Sequence, residues 1–89
     1  MGVIMDFTLI QKIEVHGMRY KLLRSNFCRG YYVIIIESKD DFCCESFASN
    51  NKENALDLFY EIAASATEPC SLRGIIMDNE KLLFLANKG

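Results

Sequence analysis

The residues best suited to chemistry in this chain are four cysteines, Cys28, Cys43, Cys44 and Cys70, and a single histidine, His16. A thiol or hydroxyl nucleophile needs a base within hydrogen-bond reach, and His16 is the only imidazole that could serve. It stands beside Gly17 between two alternating apolar runs, where a turn is required, so the sequence predicts a solvated turn residue rather than a base. A structural zinc site would show ligands two to four residues apart with several histidines or cysteines in register. Here the only close pair is adjacent, and on a strand Cys43 and Cys44 point to opposite faces. Free thiols packed as small hydrophobes are the expectation. The carboxylates Asp40 and Asp41 fall in a turn and diverge into water, and Asp78 with Glu80 lacks the regular oxygen spacing of a calcium loop. Gly2, Gly17, Gly30, Gly74 and Gly89 are too scattered for a phosphate-cradling loop. The sequence therefore predicts no catalytic residues, no metal and no cofactor.

Charge is the next resource. The chain has 10 basic and 12 acidic residues and a net charge of −2, but the balance is uneven. Residues 1–37 carry Lys12, Arg19, Lys21, Arg24 and Arg29 and come out at +2, whereas residues 38–89 come out at −4. The five basic residues, with Tyr20, Phe27, Tyr31 and Tyr32 nearby, form the candidate surface for single-stranded nucleic acid. An acidic sequence pI near 5.3 opposes that reading, because nucleic-acid binders are normally basic. Glu53, Asp57 and Glu61 recur at four-residue spacing and predict an acidic helix ridge suited to a basic protein partner, or to the basic hairpin of a second copy.

These side chains are positioned by elements that can be read from periodicity. Phe7 to Val15 alternates as a half-buried strand, with Phe7, Leu9, Ile13 and Val15 expected on one face. His16-Gly17 predicts a two-residue hairpin turn that sets Val15 opposite Met18, Ile13 opposite Tyr20 and Gln11 opposite Leu22. Asn26 to Gly30 breaks the chain before Tyr31–Glu37, which is apolar on both faces and so reads as a central strand needing cover on both sides. Ser38 to Asp41 turns into a fourth strand, Phe42 to Ala48, completing a second hairpin. A capping box at Asn50 and Glu53 then predicts one long amphipathic helix over residues 51–66. Glu68-Pro69 ends it, and a short helix from about Pro69 to Asn79 follows, with an extended end in which residues 82–85 could form a short strand.

The prediction is a single α+β domain over residues 1–89: a four-stranded, mostly antiparallel sheet of two hairpins, a long helix, and a short C-terminal helix or extended segment. Eighty-nine residues are expected to form one domain, and 51% hydrophobic with 25% charged residues is the composition of a globular core-forming chain. The longest apolar run, Tyr31 to Ile36, is far below the roughly 20 residues that span a bilayer, and Met1 to Phe7 lacks secretory features, which points to a cytoplasmic protein. Asp6 occupies the position where a myristoylation motif on Gly2 wants Ser or Thr. The second face of the central strand is expected to be closed by residues 70–85, by a second copy in a sheet-face or sheet-edge homodimer, or by a heterologous partner.

The strand beginning Gly30-Tyr31, the helix segment Asn54-Ala55-Leu56-Asp57-Leu58-Phe59 and the stretch from Glu68-Pro69-Cys70 to Asp78 resemble a family of short uncharacterised proteins from Gram-positive anaerobic bacteria. The resemblance covers residues 10–84, with Ser71 where such proteins often carry His, and it implies no activity. A phage- or prophage-type inhibitor of a host protein would share this size and order of elements. The sequence as a whole reads as a non-enzymatic interaction or regulatory module, with a small nucleic-acid-associated protein as the alternative.

Overall fold

A computed structural model describes residues 6–79 of the chain. Its strands are β1 (Phe7–Val15), β2 (Met18–Ser25), β3 (Tyr31–Glu37) and β4 (Phe42–Ala48), paired antiparallel in the order β1-β2-β3-β4. Because β2 also pairs with β3, the two expected hairpins merge into one four-stranded meander. His16 and Gly17 both adopt left-handed φ angles, 53° and 78°, as a two-residue turn between right-twisted strands demands. The turn delivers the expected register, with Val15 opposite Met18, Ile13 opposite Tyr20 and Gln11 opposite Leu22. A Cβ on Gly17 would meet no atom within 4 Å, so Gly17→Ala isolates the backbone strain of a positive φ. It is expected to cost about 1 kcal/mol in chemical denaturation, with an unchanged denaturant slope.

The alternation of β1 does not run unbroken. The register shifts between Leu9 and Gln11, with Leu9 opposite Leu23 and Gln11 opposite Leu22. This bulge at Ile10 inserts one residue, so Phe7 and Leu9 leave the face that carries Ile13 and Val15 and appear on the other. The expectation of all four on one face is corrected accordingly. Ile10 packs against the core, while Leu9 is 52% exposed.

The main core cluster lies on one side of the sheet, with Val33 buried on the other. Tyr20, Leu22, Tyr32, Ile34, Ile36 and Phe47 face α1 (Lys52–Ala64), which inserts Ala55, Leu58, Phe59, Ile62 and Ala63. A 3-10 turn at Pro69–Ser71 leads into a further helical stretch over residues 72–79, whose Leu72 and Ile76 join the same cluster. The expected long helix over residues 51–66 is thus corrected to a 13-residue helix, while the short helix expected from about Pro69 to Asn79 is present as the 3-10 turn and the helical stretch that follows it. The first ends early because Ser65 caps it and Ala66 turns left-handed at φ 53°, ahead of the break anticipated at Glu68-Pro69. Its start also moves by one residue, since Asn51 and not Asn50 is the N-cap, accepting from the Asn54 amide at 2.8 Å. Residues 82–85, and with them the predicted extended end, lie outside the described residues.

Tyr20 joins the layers. Fully buried, its hydroxyl donates to the Thr67 carbonyl at 3.0 Å and so ties the link between the helices to the sheet. Burial first, and the charge of Glu68 second, push its pKa above the ordinary 10.0.

Candidate interaction surfaces

The acidic ridge forms as expected on α1: Glu53, Asp57 and Glu61 are exposed, and among the described residues none of them is in an ion pair. Tyr60 lies beside Glu61, 43% exposed, and its hydroxyl accepts from Gln11 Nε2 at 3.1 Å.

The five basic residues do not form one surface. Lys12, Arg19 and Lys21 project from the face opposite the helices, and each has an acidic neighbour. Lys12 lies 3.8 Å from Glu14, while Arg19 and Lys21 lie 3.7 and 3.4 Å from Glu37. Oε1 of Glu37 is sealed from solvent with no hydrogen bond of good geometry, so the two cations compensate it by charge alone. Arg24 shares the core side of β2 with Tyr20 and Leu22, at the far end of the strand, and Arg29 sits in the β2–β3 connection; neither is in an ion pair among the described residues. Together they line a cleft of about 540 Å³ with Phe27, Tyr32 and Asn50.

That cleft is braced. Ser25 Oγ accepts from the amides of Phe27 and Cys28 at 3.2 and 3.0 Å, the Asn26 amide donates to the Asp6 carbonyl at 2.9 Å, and the Ser49 amide donates to the Gly30 carbonyl at 2.8 Å. Gly30 meets this approach at φ 86°. Phe27 nevertheless exposes 70% of its surface. Sequence reading placed Phe27 among the aromatics near the basic hairpin but gave Asn50 only a capping role. A phenylalanine between Asn26 and Arg29 in a polar break was the available signal.

The face of the sheet turned away from both described helices carries a row across three strands, Leu9, Leu23 and Val33, with Ile35 beside it and Phe7, Tyr31 and Phe42 around it. Phe7, Tyr31 and Phe42 are 40%, 47% and 60% exposed. Cover on both sides of β3 was expected; both described helices pack on one side, Val33 on the other side is only 8% exposed, and residues 80–85 of the segment expected to close that side lie outside the described residues. Charges of both signs, Glu14, Arg19 and Glu37, line up across one end of this face.

The thiols are all free and no two are disulfide-bonded. Cys43 is half-buried on the core side, whereas Cys28, Cys44 and Cys70 are exposed, which corrects the expectation of buried thiols for those three. Although Cys44 reaches solvent, partial desolvation of its thiol, followed by the neighbouring Cys43 and then Glu45, raises its pKa, and burial chiefly raises that of Cys43, so neither thiol is activated as a thiolate. His16 sits in the β1–β2 turn, and among the described residues there is no cluster of three metal-ligating side chains. Asp78 is exposed and Glu80 lies outside the described residues. Among the described residues no helix is long and apolar enough to cross a membrane.

Fold and surfaces together define a two-layer α+β domain, an antiparallel meander with helices on one side. Comparison with protein-family models, with curated proteins and with solved structures finds no match for the chain.

Proposed function

We propose that this chain is a small cytoplasmic interaction or regulatory module without catalytic activity of its own, and that it pairs with a second copy through the helix-free face of its sheet. The observation that carries the reading is the exposed apolar surface of Leu9, Phe7 and Phe42 on that face, continuous with the partly exposed Leu23 and Ile35. Burying such surface is favourable by about 25 cal/mol per Å², and a short domain with one covered face has most to gain from it. A second copy suits this face because its charges have both signs. A rotated copy can set Arg19, Lys12 or Lys21 against Glu14 or Glu37 without the repulsion that a single-signed face would suffer. In such a pair the acidic ridge of Glu53, Asp57 and Glu61 points away from the interface, open to a basic protein partner that the pair would occlude or bridge.

Light scattering of the purified chain in reductant, over a range of concentration and salt, tests the pairing. The expected result is a dimer mass. Ile35→Lys, which places two new cations in the interface beside Lys21 of each copy, is expected to weaken the dimer by at least about 100-fold while leaving the far-ultraviolet spectrum intact. A wild-type chain that stays monomeric at every concentration would overturn the reading.

A further inference from the structure

The cleft at the end of the sheet is independent of the pairing surface, since Arg24 and Tyr32 stand opposite each other on the helix side of β2 and β3. It combines three features that a solvated loop does not require together. Arg24 and Arg29 converge on one cavity with no carboxylate paired to either among the described residues. Phe27 holds a ring in the same wall, 70% exposed. The segment that presents it is pinned by Ser25 Oγ, by the Tyr31 amide donating to the Cys28 carbonyl at 3.1 Å, and by the Gly30–Ser49 bond, so the exposed ring belongs to a fixed surface.

We propose that this cleft is a binding site for a nucleoside phosphate, with the phosphate held by the guanidinium groups of Arg24 and Arg29 and the base laid against Phe27. Guanidinium forks match phosphate oxygens in geometry as well as charge, and an aromatic ring stacks on any base because every base has a flat face. A cavity of about 540 Å³ falls in the range that encloses a small ligand. A free nucleotide fits better than a long strand. The chain carries a net charge of −2, and the other three cations of the first hairpin, Lys12, Arg19 and Lys21, lie on the opposite face of the sheet beside acidic neighbours, so the hairpin does not extend the cleft into a basic track for a polyanion.

The test is an amide-resolved NMR titration of the full chain with adenosine monophosphate, adenosine, inorganic phosphate and a thymidine oligonucleotide, each at low and high salt. Saturable shifts confined to residues 24–30 and to Asn50 are expected with the monophosphate, at an affinity about tenfold or more above that for adenosine or inorganic phosphate. Arg29→Gln and Phe27→Ala are each expected to weaken it by about tenfold. Equal affinity for inorganic phosphate would overturn the proposal by marking a bare anion site. Binding of the oligonucleotide alone, lost steeply with salt, would overturn it in favour of a strand-binding surface, and an absence of localised shifts would end it. Should a variant fail to fold, the wild-type ligand series decides by itself.

Discussion

Replacing Phe59 by Ala is expected to lower the stability of the fold by about 3–5 kcal/mol, the largest effect of any single truncation in α1. Phe59 is fully buried on the middle turn of the helix, in the cluster that includes Tyr20, Leu22 and Ile34. The cluster that Phe59 joins packs between α1 and one side of the sheet, and the truncation leaves a cavity at its centre. Against the total of roughly 5–15 kcal/mol typical of a natural domain, a loss of this size leaves a substantial unfolded population. Equilibrium urea unfolding measures it. A midpoint that barely moves would mean that α1 is not packed on the sheet through Phe59. Leu56, on the same helix but only partly buried, is the control, and its replacement by Ala should cost markedly less.

The second large effect is the loss of the Tyr20 hydroxyl. Tyr20→Phe leaves the ring in place but strips the Thr67 carbonyl of its partner in a buried setting, at an expected cost of about 1–3 kcal/mol. The same hydroxyl carries a pH signature. Its folded-state pKa is raised above the unfolded value of 10.0, so the folded chain holds the proton more tightly than the unfolded chain does. The associated stability is fully present below pH 10.0 and is lost as pH rises through the folded-state value, by up to about 1.4 kcal/mol per pH unit. Unfolding measured from neutral pH into the alkaline range should therefore show the gap between wild type and Tyr20→Phe narrowing above that point. Parallel curves would mean that Tyr20 ionises in the folded state as freely as in the unfolded one.

Much of the fold was legible in local patterns. The strand limits at Phe7, Met18, Tyr31 and Phe42, and the pairing of Ile13 with Tyr20, follow from alternation and from a Gly-ending turn that admits one register. The change of period after Asn50 marked the helix, and Glu68-Pro69 marked the break beyond it. Local patterns overran the length of α1, because what stops it is a left-handed turn at Ala66, a residue with no turn preference of its own. Of the candidate surfaces, the acidic ridge was legible because Glu53, Asp57 and Glu61 lie on one helix, where spacing alone sets the face.

The basic residues show the opposite case. Lys12, Arg19, Lys21, Arg24 and Arg29 are close in sequence, yet the antiparallel register puts Lys12, Arg19 and Lys21 on the helix-free face with Glu14 and Glu37 and leaves Arg24 on the other, near Arg29. The helix-free apolar row was hidden for a similar reason: a bulge at Ile10 turns Phe7 and Leu9 over to the side of Leu23 and Val33, and strict alternation has no means of signalling the extra residue. The sequence by itself determined the kinds of element, their order and the pairing next to each turn, because these depend on contacts between residues near one another in the chain. Tertiary structure alone decided which face the helices cover, which charges are neutralised and which residues meet at the cleft, because each depends on the summed packing of segments far apart in the chain.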